Sequence, residues 1–250
     1  LIVFTCLFFI SIKGCSLYLD TRIAVVSGAE RTSVKTENGY RLSYLEAGSL
    51  ENRRVVLIHG SPGSAGSWLP LMEAYQNDFH WQAVDRPGFG GTTPRHPVPS
   101  VKEQADAIAT LLPLAEGDGK PIVVGYSLGG AVAAHLAAHY DEHIAGVVFV
   151  AASLDPGVED VWFIQKAAQS VSWLMPEPLN SANLELIALE EELKSLKGEM
   201  GLINGPVAVI HGQNDENVPL SNVTYLESQL RSTVRVIREI VPRLDHGVPW

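Results

Sequence analysis

Between residues 41 and 46 polar and apolar side chains alternate, Arg41-Leu42-Ser43-Tyr44-Leu45-Glu46, and this period of two predicts a half-exposed strand. Val55-Val56-Leu57-Ile58 is an unbroken apolar run instead, the pattern of a strand covered on both faces. Further runs predict strands at 81–84, 122–124, 145–150, 207–210 and 234–237. Helical spacing falls between them, near 67–76, 101–112, 128–139 and 221–230. Strand and helix in alternation build an α/β fold, a mostly parallel sheet with helices on both faces. The rhythm breaks after Ala152, where a stretch far longer than an ordinary connection carries no strand signal but shows helical spacing at 161–174 and 184–196. We expect residues 153–204 to form a small helical cap over the carboxyl ends of the strands, between core segments 32–152 and 205–250. The other reading is an ordinary pair of surface helices.

Composition narrows the function classes. With 46% hydrophobic and 18% charged residues among 250, the chain can bury one full α/β core. Its net charge of −10 gives nucleic acid no counterion release to drive binding, so no nucleic-acid partner is expected. Cys6 and Cys15 both lie in the N-terminal segment, which leaves the core without a thiol nucleophile or a disulfide framework.

Residues 1–31 read as a leader and linker. Leu1 to Ile10 is apolar enough for the h-region of a secretory signal and too short to span a bilayer. Ile12-Lys13-Gly14-Cys15-Ser16 resembles a bacterial lipobox, with Lys13 where a small residue is usual. Three readings stay open: a lipoprotein attached to the membrane at Cys15, an ordinary signal or membrane anchor, and a buried first strand. The first two export the protein to the periplasm, membrane or exterior.

The chemistry centres on Gly125-Tyr126-Ser127-Leu128-Gly129, which follows the apolar run 121–124 and opens a small-residue helix. Glycines two before and two after the serine leave no Cβ to collide with strand or helix, so the turn can expose the hydroxyl. Serine at its ordinary pKa is a poor nucleophile and needs a base, which in turn needs an acid to hold its tautomer. His246, after the last strand, is the expected base. Asp215, on the loop after the 207–210 strand, is the expected acid, with Asp155 as its competitor. The oxyanion donors are expected from the backbone N–H groups of Leu128 and of Ser61 in His59-Gly60-Ser61-Pro62-Gly63, because Pro62 has none. His59, His211 and Asp85 read as loop-shaping residues. No metal or organic cofactor is implied.

Four motifs occur in order: His59-Gly60, Asp85-Arg86-Pro87-Gly88-Phe89-Gly90, the Ser127 turn, and His211-Gly212 with Asp215 followed by His246. On these the chain, from about Thr32 onward, resembles the small capped serine hydrolases of the α/β-hydrolase fold. The resemblance implies an esterase-like enzyme acting through an acyl-enzyme on Ser127 on a small-molecule acyl substrate. Thioesters, amides and C–C bonds stay open within it, and a membrane-tethered ligand-binding protein on the same scaffold is the rival from another class. Trp162, Phe163, Trp173 and Met175 in the cap segment are the candidate substrate-contacting residues. Relatives of this type usually continue through a helix after the histidine loop, so the chain is expected to be truncated at its C-terminus.

Overall fold

The computed structural model describes residues 28–112, 119–158, 169 and 172–247. Eight strands form one sheet: β1 (Glu30–Lys35), β2 (Arg41–Ala47), β3 (Arg53–Ile58), β4 (Phe79–Val84), β5 (Ile122–Tyr126), β6 (Gly146–Val150), β7 (Val207–Gly212) and β8 (Val236–Val241). Their order is β1-β2-β4-β3-β5-β6-β7-β8. The pairs β1–β2 and β2–β4 are antiparallel, and the rest of the sheet is parallel. Five α-helices lie among the described residues: α1 (Leu69–Ala74), α2 (Val101–Ala109), α3 (Leu128–His139), α4 (Glu177–Lys197) and α5 (Ser221–Gln229).

Burial explains why the apolar runs became central strands. Val55 to Ile58 are all buried, and so is the inner face of α3, whose Ala131, Ala133, Ala134 and Ala137 let the helix approach the sheet closely. Val132 and Leu136 are fully buried, and each contributes roughly 1.5–3 kcal/mol by leaving water. Arg54 is the exception within β3. Its buried guanidinium donates to the Leu111 and Leu112 carbonyls at 2.7 Å each, closing the chain just past the end of α2.

Several expectations shift. β1 has no apolar signature in the sequence, because Glu-Arg-Thr-Ser-Val-Lys is a polar edge strand whose charged residues guard an open rim. The last strand runs over Val236–Val241 instead of 234–237, since the turn that precedes it consumes Val234. The expected helix at 67–76 divides into a 3₁₀ turn, Ala65–Trp68, and α1. Between β6 and β7 the helix expected at 184–196 begins earlier, at Glu177, and ends at Lys197. The helix expected at 161–174 falls almost wholly outside the described residues, as do the leader with Cys6 and Cys15, and Trp162 and Phe163. Among the described residues no helix is long and apolar enough to cross a membrane.

The topology places the site. From β3 the chain moves to β4 on one side and then to β5 on the other, so a crevice opens beyond the carboxyl ends of β3 and β5. Ser61 follows β3 and Ser127 follows β5 directly, while the loops after β7 and β8 reach the same edge.

Candidate active site

Ser127 stands between β5 and α3 with φ 53° and ψ −126°, a left-handed conformation that costs a non-glycine residue roughly 1–3 kcal/mol. Three backbone hydrogen bonds hold it there. Its N–H donates to the Val150 carbonyl at 3.0 Å, and its carbonyl accepts from Gly130 at 2.9 Å and Ser153 at 3.1 Å. The turn also requires close approach. A Cβ on Gly125 would lie 2.4 Å from the Gly129 carbonyl oxygen, and one on Gly129 would lie 2.5 Å from the carbonyl oxygens of Ile58 and His59.

The structure brings the three residues expected from sequence into one line. His246 Nε2 is 3.1 Å from Ser127 Oγ, and His246 Nδ1 is 2.7 Å from Asp215 Oδ2. The Asp215 side chain is fully buried, and its other oxygen accepts the N–H groups of Asn217 at 3.0 Å and Val218 at 2.8 Å. Burial alone would raise this carboxyl's pKa. The hydrogen bonds from His246 and the Val218 N–H, with the neighbouring His246 and His211, outweigh that and hold it below the usual carboxylate range. Asp215 therefore stays ionised at neutral pH and fixes Nδ1 as the protonated nitrogen, leaving Nε2 to accept from the serine hydroxyl. Tyr126 steadies the ring: its hydroxyl donates to the His246 carbonyl at 2.9 Å, and the two rings lie 5.1 Å apart.

Asp155 turns elsewhere. Its carboxylate accepts the Gly157 N–H at 2.8 Å, and its own N–H donates to Asn222 Oδ1. Asp245, beside His246, accepts from Gly247. His59 is buried under the loop, with Nδ1 2.7 Å from the Gly60 carbonyl and Nε2 accepting the Arg86 N–H at 3.1 Å. Burial and the neighbouring Arg86 charge push its pKa well down, so it is a neutral spacer. His211 contacts the Val218 carbonyl at 2.9 Å, and Asp85 accepts the N–H groups of Ala65 and Gly91 and pairs with Arg31. All three shape loops.

A second network lies behind the Gly60–Ser61 peptide. Glu185 of α4 is buried and takes the Arg86 guanidinium at 2.6 and 3.2 Å, the Gln104 amide at 2.7 Å and the Ser61 hydroxyl at 2.6 Å. Arg86 also donates to the Gly60 carbonyl at 2.9 Å. That carbonyl and the Ser61 N–H belong to one planar trans peptide, so fixing the oxygen fixes the opposite direction of the N–H. Glu185 and Arg86 thus orient the peptide that carries one expected donor, while the Leu128 N–H opens α3 beside Ser127. The available signal was a single acid on the buried stripe Ala182, Glu185, Leu189, Leu193, Leu196. Of the candidate substrate-contacting residues that are described, Trp173 is 80% exposed on the turn Ser172–Leu174 and Met175 is half-buried.

Residues 53–183 match the family model described as alpha/beta hydrolase fold. The chain belongs to the α/β-hydrolase family. Several relatives carry the name pimeloyl-[acyl-carrier protein] methyl ester esterase, and two of them illustrate the match. That of Vibrio atlanticus (strain LGP32) is 36% identical over 99 residues, covering 40% of this chain and 36% of that protein. That of Nitrosomonas europaea is 26% identical over 214 residues, covering 70% of this chain and 82% of that protein. The chain therefore spans only about a third of the length of the Vibrio relative. A solved structure described as a putative lipase from Acinetobacter baumannii AYE superposes with a TM-score of 0.72 at 20% identity, covering 94% of this chain and 90% of that one, and shares the fold.

Proposed function

We propose that this α/β-hydrolase cleaves a carboxylic ester of a small acyl substrate through an acyl-enzyme on Ser127. The observation that carries this reading is the unbroken line Ser127 Oγ, His246, Asp215, with bonds of 3.1 and 2.7 Å. His246 Nε2 takes the hydroxyl proton as Oγ attacks the ester carbonyl, and the Ser61 and Leu128 N–H groups stabilise the oxyanion. Collapse expels the alkoxide, which receives that proton from His246 and leaves as the alcohol. Water, deprotonated by the same nitrogen, then releases the acid and restores Ser127. The relatives' names support an ester over a thioester, amide or C–C bond.

A fluorophosphonate probe tests the reading: wild type is expected to label on Ser127 and to lose activity in proportion. A chain that binds esters without labelling or turnover is a binding protein instead. The acid is tested separately. Asp215→Asn is expected to lower kcat roughly 10⁴-fold by losing control of the His246 tautomer, whereas Asp155→Asn leaves turnover within a small factor. The reverse ranking in steady-state kinetics would move the acid to the loop after β6.

The exposed indole of Trp173 is proposed to meet the acyl chain. Each methylene it helps to bury is worth about 0.8 kcal/mol, so Trp173→Ala is expected to flatten the preference for longer acyl chains across a p-nitrophenyl ester series. An unchanged series removes Trp173 from the binding surface.

We also propose that the leader exports the protein and that Cys15 is lipidated, on the pattern Ile12-Lys13-Gly14-Cys15-Ser16. Mass spectrometry of the mature N-terminus should find a diacylated Cys15, and Cys15→Ser should release the protein from membranes. Membrane retention in that variant would leave an uncleaved anchor.

A further inference from the structure

The far end of α3 holds a cluster that the proposed chemistry does not use. His135 and His139 stand one turn apart on the same face, and both reach one oxygen of Glu199. His135 Nδ1 is 2.8 Å and His139 Nε2 is 3.1 Å from Glu199 Oε2, with the two imidazole rings 4.4 Å apart. His135 is buried, His139 is exposed and Glu199 is half-buried, so the group is reached by solvent from the His139 side. We propose that His135, His139 and Glu199 form a binding site for a divalent transition-metal ion of the zinc class, pinning the end of α4 to α3.

Geometry supports this first. Ligand atoms bonded at about 2.1 Å in a tetrahedron lie about 3.4 Å apart, so the three donors, all within 4.8 Å of one another, need only small adjustments. The two partly exposed members can make them. Two imidazoles and one carboxylate are a borderline donor set suited to zinc, and the exposed side leaves a position for water.

The surrounding field also favours a cation. His139 lies in the last turn of α3, and Glu199 directly follows the Gly198 cap of α4, so two helix carboxyl ends converge here with their partial negative charge. Asp106 adds charge toward His135 while it binds Tyr140 and Lys102. Lys102 is the opposing cation, and its ammonium is taken up by Asp106. Along α3, at 1.5 Å per residue, His135 and His139 are roughly 12–18 Å from Ser127, so the ion holds structure and takes no part in acyl transfer.

The test is titration of the tag-free, chelator-treated full chain with Zn²⁺, followed by calorimetry and thermal unfolding. Wild type is expected to bind one equivalent and to gain roughly 5–10 °C in Tm at a hundredfold excess over Kd. Losing a partner behind a ligand weakens metal sites 10- to 100-fold, so His139→Ala and Glu199→Gln should weaken binding by about a hundredfold or more. Both positions are partly exposed, and the variants should fold. The exposed His143→Ala is the control and should bind as wild type does. No stoichiometric binding, or binding retained in both variants, overturns the site and leaves a hydrogen-bonded His–Glu cluster. A Co²⁺ form with a thiolate charge-transfer band overturns it equally, because the ion would then be on Cys6 or Cys15.

Discussion

Ser127→Ala and His246→Ala are each expected to lower kcat on an activated ester by roughly 10⁴–10⁶-fold while leaving the fold intact. The losses should not add. His246 acts on the proton of Ser127 across 3.1 Å, so removing either partner ends the same step, and the double variant should resemble the worse single one. Ser127→Ala keeps the backbone that holds the turn, namely the bonds to Val150, Gly130 and Ser153, so its thermal unfolding should stay near that of wild type. A His246→Ala enzyme with near-wild-type kcat would overturn the proposed acyl transfer. Unfolding below about pH 4 is a further check. Because the folded Asp215 carboxyl lies below its unfolded pKa of about 3.9, its contribution to stability is complete above that value and is lost as pH falls through the folded one. Near neutral pH this group contributes in full and adds no pH dependence to unfolding, and Asp215→Asn should flatten the acid limb.

Glu185→Gln is expected to be the most damaging single change to stability. It leaves the Arg86 guanidinium, fully buried, without its counter-charge, and breaking a buried pair from one side costs about 3–5 kcal/mol. For a domain of this size that is a fall of roughly 6–20 °C in Tm. Replacing both partners with apolar residues of similar volume, Arg86→Met with Glu185→Leu, should recover much of the loss, because no charge is then stranded. Activity should behave differently. The double variant no longer holds the Gly60 carbonyl or the Ser61 hydroxyl, so the Ser61 N–H loses its fixed direction, and kcat should stay roughly 10²–10³-fold low even where Tm recovers. Full recovery of both would make Glu185 a packing residue only. A Tm for Glu185→Gln within a degree or two of wild type would show that water reaches the pair.

The sheet and the line Ser127, His246, Asp215 were legible because each part is a local pattern. An apolar run marks a central strand, glycines flanking a serine after such a run mark a strained turn, and the ends of parallel strands all meet at one edge. Residues that follow β5, β7 and β8 were thus bound to approach one another, wherever their side chains finally pointed. The sequence favoured Asp215 over Asp155, but both follow parallel strands, and it is the path of each loop that sets Asp215 against His246 and turns Asp155 to Gly157. β1 escaped because an edge strand is written in polar residues and has no apolar signature.

The grouping of Glu185 with Arg86 and Gln104, and of His135 and His139 with Glu199, belongs to tertiary structure. A carboxylate on the stripe of Ala182, Leu189, Leu193 and Leu196 announces that it is buried and must be paired, but a charge carries no record of its partner. Ser61 lies 124 positions away in the chain and Arg86 lies 99. Periodicity reports which face of an element turns inward, and so it determined the sheet, its central strands and the edge where the serine emerges. Which polar groups meet inside depends on how helices from distant parts of the chain pack, and only the folded structure decided that.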